Sequence, residues 1–154
     1  MSDNTDMINL YSKRILAAAA NIPLTSPLEE FDGTATRRSP LCGSNLRVWV
    51  KLQGDTVVRY GQDVKACALG QASASIFASV VVGLTVSEIT SGRDQMFAML
   101  TKEGPIPEAP FSELEILIPA RAYKNRHASI MLCFEATLDA IIDADTKKRA
   151  PKGA

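Results

Sequence analysis

Between positions 46 and 53 the aliphatic Leu46, Val48, Val50 and Leu52 alternate with Arg47, Trp49, Lys51 and Gln53. A period of two predicts a half-buried strand. Gly54-Asp55 supplies a turn, and Thr56 to Tyr60 returns as the hairpin partner. Gln62 to Ala66 reads as a third, edge strand leading to Cys67. Elsewhere the period lengthens to that of a helix. Ile8 to Ala20 places Ile8, Tyr11, Ile15 and Ala18 or Ala19 on one face, and Asn21, Pro23 and Pro27 end it. The polar stretch from Leu28 to Ser39 then connects to Cys42. A run of small, helix-compatible residues follows Ala68 (Ala72, Ala74, Ile76, Phe77 and Ala78). Thr85 with Glu88 is a capping-box signal for a short helix, and Ser91 to Thr101 forms a second, amphipathic one. Gly104-Pro105-Ile106-Pro107 breaks it. Ser112 to Leu117 reads as a short turn of structure. The last long helix runs from Arg126 to Ile142, with Ile130, Phe134, Leu138 and Ile141 as its core stripe. Strands come early and helices late. That order predicts an α+β fold, a small antiparallel sheet of about three strands with helices packed on one face.

The chain has 154 residues, which suits a single domain with a proper core, about 8–142. Residues 1–6 and 143–154 read as flexible tails, the latter carrying Lys147, Lys148 and Arg149 on a solvated terminus. Seventeen basic and 17 acidic side chains cancel, so no global field favours nucleic acid or an anionic membrane. The longest apolar stretch, Ile76 to Leu84, is interrupted by Ser79 and Gly83 and is too short to cross a bilayer. The polar, acidic N-terminus is unlike a secretory or mitochondrial leader, which makes the cytoplasm the expected location. An odd number of cysteines without a Cys-x-x-Cys pair fits a reducing compartment.

Candidate chemistry rests on three cysteines and the single histidine. Cys67 stands where a helix begins, and unpaired amides, the helix dipole and neighbouring Lys65 favour a thiolate there. The alternative is a small buried hydrophobe at a strand–helix joint. Cys42, between Pro40-Leu41 and Gly43, sits on a bend ahead of a strand, either presented to a bound group or half-buried in its loop. Cys133 lies beside the core stripe of the last helix, where free cysteine commonly packs as core. Ser129 is one turn earlier on the same side. His127 opens that helix, as a ligand or as a solvated end residue. Together Cys42, Cys67, Cys133 and His127 are a dispersed set of soft-metal ligands that only a folded chain would assemble.

These segments, in this order, resemble the U-type iron–sulfur cluster scaffold family, which includes IscU, the N-terminal part of NifU, and SufU. Cys67-Ala68-Leu69-Gly70-Gln71-Ala72-Ser73-Ala74-Ser75 is similar to the family's cysteine followed by an Ala/Ser-rich helix. Pro40-Leu41-Cys42-Gly43 resembles its first-cysteine loop, and Arg126 to Ala136 the start of its final helix. The resemblance spans about residues 8–142 and implies a SufE/NifU-like fold. It also implies a scaffold or carrier rather than a turnover enzyme. Sulfur would come from a cysteine desulfurase onto Cys67, a transient [2Fe–2S] cluster would form at Cys42, Cys67 and one further ligand, and the cluster would pass to acceptor apo iron–sulfur proteins. The same residues would also suit zinc. A zinc-dependent sulfurtransferase partner of a desulfurase, or a metal-free adaptor with a degenerate site, are the alternatives. Three departures bear on the site. Ser44 stands where the family has Asp after Cys-Gly, and a gap-free match puts Ser129 at the third-cysteine position. Pro119-Ala120-Arg121-Ala122-Tyr123 replaces the segment that IscU-type members offer to a dedicated chaperone.

Overall fold

The protein is described by a computed structural model over residues 11–41 and 43–149. The start of the first expected helix and Cys42 lie outside the described residues. Helix α1 covers Lys13–Ala20 and is opened by the Ser12 hydroxyl, which accepts from the Ile15 amide at 3.3 Å. Three strands follow, β1 (Gly33–Arg38), β2 (Asn45–Gln53) and β3 (Thr56–Lys65). Helices α2 (Ala68–Val80) and α3 (Val86–Thr101), a 3-10 helix (Ser112–Ala122) and the long helix α4 (Lys124–Arg149) complete the chain. The sheet is antiparallel throughout, in the order β1-β2-β3, so the α+β class with three strands stands as expected from the sequence.

The alternation of β2 places Leu46, Val48 and Val50 on the buried face, beside Val57 and Tyr60 of β3. Lys51 pairs with Arg59 but Leu52 pairs with Val57, leaving Val58 as an extra residue. This bulge lets Val57 and Tyr60 both face inward despite their odd spacing. Strand β3 then continues through Gln62 to Lys65, opposite Val48 to Asn45. The expected third strand from Gln62 is therefore the far half of the hairpin. The third strand is β1, inside the stretch that reads as polar connection. It is an edge strand whose inward end is glycine: a Cβ on Gly33 would collide with the Ala140 carbonyl of α4. Helix and strand are thus in backbone contact, fastened by the Thr34 amide donating to Asp143 at 3.0 Å and the Arg37 guanidinium to Asp139 at 2.7 Å.

Helix α4 packs on β1, β2, α2 and α3. Phe77, Phe111 and Phe134 fill the centre, with Phe77 and Phe134 edge-to-face at 4.8 Å. The short helix from Thr85 and the helix from Ser91 are one element. Its capping box is present, with Thr85 Oγ1 accepting from the Glu88 amide at 3.2 Å and Glu88 Oε1 from the Thr85 amide at 3.1 Å. Gly92 does not break it, because a Phe111 ring occupies the space of the missing side chain. The segment after Ile142, expected as a tail, is helical to Arg149 and buries Ala144. Among the described residues no helix is long and apolar enough to cross a membrane.

Candidate metal and thiol site

Strand β3 ends at Lys65, and two residues later Cys67 is the N-cap of α2, with extended backbone (φ −66°, ψ 169°). Its carbonyl accepts from the Gln71 amide at 2.9 Å, while its sulfur makes no capping bond. The sulfur is left for other contacts, half-buried at the helix end. Across from it stands Ser129, in the second turn of α4, with Oγ 3.6 Å from Cys67 Sγ. Ser129 Oγ donates to Ser44 Oγ at 3.1 Å. Both serines are buried. Gly70 makes this crossing possible, since a Cβ there would stand 2.5 Å from Ser129 Oγ.

Ser44 closes the neck of the loop between β1 and β2. The Ser39 amide donates to the Ser44 carbonyl at 2.8 Å, and Gly43 takes a left-handed φ of +71°. Leu41 is 70% exposed. Cys42, inside this loop, lies outside the described residues.

The other two sequence candidates point elsewhere. Cys133 is 1% exposed, 3.4 Å from Ser73 Oγ, and donates to the Ile130 carbonyl at 3.7 Å. Burial pushes its thiol up to about 12, only partly offset by the Ser73 hydrogen bond. His127 is half-buried with Nε2 2.9 Å from the Ala120 carbonyl, at the end of the 3-10 helix. It borders a surface recess with Glu103, Arg121 and Lys124. The fold therefore gathers Cys67, Ser129 and Ser44, sets Cys133 into the core, and ties His127 to a backbone carbonyl.

Residues 10–129 match the model of the NifU-like N terminal domain. The chain belongs to that family. The crystal structure of a NifU-like protein (N-terminal) from Brucella abortus is 42% identical, covers 92% of this chain and 99% of its own, and superposes with a TM-score of 0.89. A protein from Fervidobacterium islandicum AW-1, named for iron-sulfur cluster assembly scaffolding in the SUF system, shares the fold at 17% identity, covering 89% of this chain and 98% of its own (TM-score 0.78). No curated protein matches the chain.

Within this NifU-like domain the donor set fits a soft cluster only in part. A Cys67 thiolate is a good partner for iron and sulfide, whereas the Ser44 and Ser129 hydroxyls are neutral, hard donors. Among the described residues no group of three His, Cys, Asp or Glu side chains is placed to hold a metal ion. Sequence reading missed Ser73, whose hydroxyl donates to the Ile130 carbonyl at 2.8 Å. Its signal was present in the spacing Cys67, Gly70, Ser73, a stripe of small residues along the α2 face that meets α4.

Proposed function

We propose that this chain is an iron–sulfur cluster assembly scaffold or carrier. The observation that carries the reading is Cys67, a partly open thiol at the N-terminus of α2 within a NifU-like domain. The name of the Fervidobacterium neighbour supports the same role. Cys42 and Cys67 are the ligands, and the cluster, a [2Fe–2S] unit, is cargo rather than a resident cofactor. Sulfur arrives from a cysteine desulfurase. The Cys67 thiolate bonds to the outer sulfur of the desulfurase persulfide, the donor's S–S bond breaks, and the donor cysteine leaves as thiolate. Reduction of the resulting persulfide to sulfide takes an electron pair from a separate thiol or protein reductant. The cluster then passes to apo iron–sulfur proteins. An odd number of cysteines without a Cys-x-x-Cys pair supports work in a reducing cytoplasm.

Anaerobic incubation with ferrous iron, cysteine and a desulfurase should give a coloured protein containing iron and acid-labile sulfide. If a Cys42→Ala, Cys67→Ala double variant takes up the same amounts, the reading is wrong. The buried hydroxyls of Ser44 and Ser129 favour one second reading, a metal-free adaptor that has kept the fold. Desulfurase binding with no uptake of iron would support it.

A further inference from the structure

We propose that Ser129 is a spacer rather than a ligand, and that the cluster held at Cys67 is completed by thiolates from outside the chain. The inference rests on the scaffold reading and concerns the same site. A [2Fe–2S] unit is ordinarily held by four thiolates, with imidazole replacing some of them in certain centres. This chain falls short of that number. Cys133 is enclosed in the core between Ser73 and the Ile130 carbonyl. His127 is bonded to the Ala120 carbonyl. Only Cys67 and the Cys42 of the scaffold reading are left as sulfur donors.

Ser129 is the side chain of α4 that meets Cys67. Distance alone would admit it as a ligand. A tetrahedral ion with sulfur at about 2.3 Å and oxygen at about 2.0 Å holds the two roughly 3.5 Å apart, and the observed separation is 3.6 Å. Burial and hydrogen bonding decide against it. Ser129 is 1% exposed and its proton is directed at Ser44 Oγ, itself 4% exposed. Ligation by an alkoxide would break that bond and leave a buried anion, which is costly. Cys67 is only half-buried, so a thiol from solution can reach iron held there. Each incoming thiol bonds iron through sulfur as its proton passes to the buffer, and no electron changes hands. A small thiol, a second copy of this chain or the cysteines of an acceptor can supply the same sulfur.

The test is anaerobic reconstitution of the full chain with ferrous iron and sulfide, free of thiol and dilute. Iron, acid-labile sulfide and the visible spectrum are read after desalting. Glutathione is then titrated in, and a separate series raises protein concentration without it. Wild type should retain little cluster alone and severalfold more with glutathione. Growth with protein concentration alone, together with a dimeric mass, identifies the second copy as the source. Ser129→Ala should match wild type in glutathione, because no ligand is lost. Ser129→Cys, which raises the sulfur donors of the chain from two to three, should retain more cluster than wild type at the same low glutathione concentration. The proposal is overturned if dilute wild type holds a full cluster without thiol. It is equally overturned if Ser129→Ala loses the cluster that wild type keeps in glutathione. Failure of every form to take up iron and sulfide, glutathione included, removes the scaffold reading and this inference with it.

Discussion

The crossing of α2 and α4 carries two cysteine–serine pairs of opposite sense. Cys67 of α2 meets Ser129 of α4 at 3.6 Å, and Ser73 of α2 meets Cys133 of α4 at 3.4 Å. The partners are chemically the same and the distances nearly so. What separates them is depth. Cys67 stands at the rim where the chain leaves the sheet, and Cys133 is sealed in the core beside Ser73 and the Ile130 carbonyl. A thiol beside a hydroxyl is therefore not the mark of a site, and solvent access on one side is.

Native-state alkylation gives the widest contrast between the two pairs. Cys67 should react with iodoacetamide while Cys133 waits for the fold to open, a difference of at least ~10³-fold in rate. Peptide mapping of the modified protein reads it, and comparable rates at the two sites would erase the contrast. Next in size is cluster retention. Cys67→Ala should lose most of the iron and sulfide, whereas Cys133→Ala keeps them and costs about 1 kcal/mol of stability in denaturant melts.

A smaller, pH-dependent effect belongs to the buried pair. Folding holds the Cys133 thiol neutral up to about 12, against an ordinary value of 9.0. Above pH 9 the unfolded chain ionises there and the fold does not, so the unfolded state binds fewer protons. Stability should fall from about pH 9 towards pH 12, at no more than about 1.4 kcal/mol per pH unit. Cys133→Ala should remove this loss. Tyr60, also raised by burial, adds a second loss beginning near pH 10.0 that Tyr60→Phe removes. Unfolding midpoints against pH separate the two. The smallest effect lies at the far end of α4. The Thr34 amide and Lys147 hold Asp143 below the usual carboxylate range. Its contribution is present at neutral pH and fades as acid protonates it, so Asp143→Asn should flatten part of the acid limb and leave the alkaline limb unchanged.

Strand β2 was legible because Leu46, Val48 and Val50 alternate and are all buried, although Trp49 on the opposite face is buried as well. Strand β1 was not, because its inward residues are Gly33 and Ala35, which carry little hydrophobic signal and serve to let α4 approach. The two helices expected after Leu84 are one, and Gly92 within it is a seat for the Phe111 ring. At the site, sequence spacing singled out Cys67 and left Ser129, His127 and Cys133 open as the contribution of the last helix. Helical rotation and depth separate those three, and both depend on how α4 lies across α2. No local pattern encodes that.

The Cys67–Ser129 contact also has a place in time. It joins residues 62 positions apart in the chain, so it belongs to the slow, long-range part of folding, after loop-closure entropy has been met. On the ribosome Cys42 and Cys67 are made well before Lys124, the first residue of α4. Until that helix docks, neither thiol–hydroxyl pair exists and the aromatic centre lacks Phe134. Docking of α4 thus completes the core and the thiol site in one event, and a nascent chain cannot assemble the site ahead of the fold that encloses it.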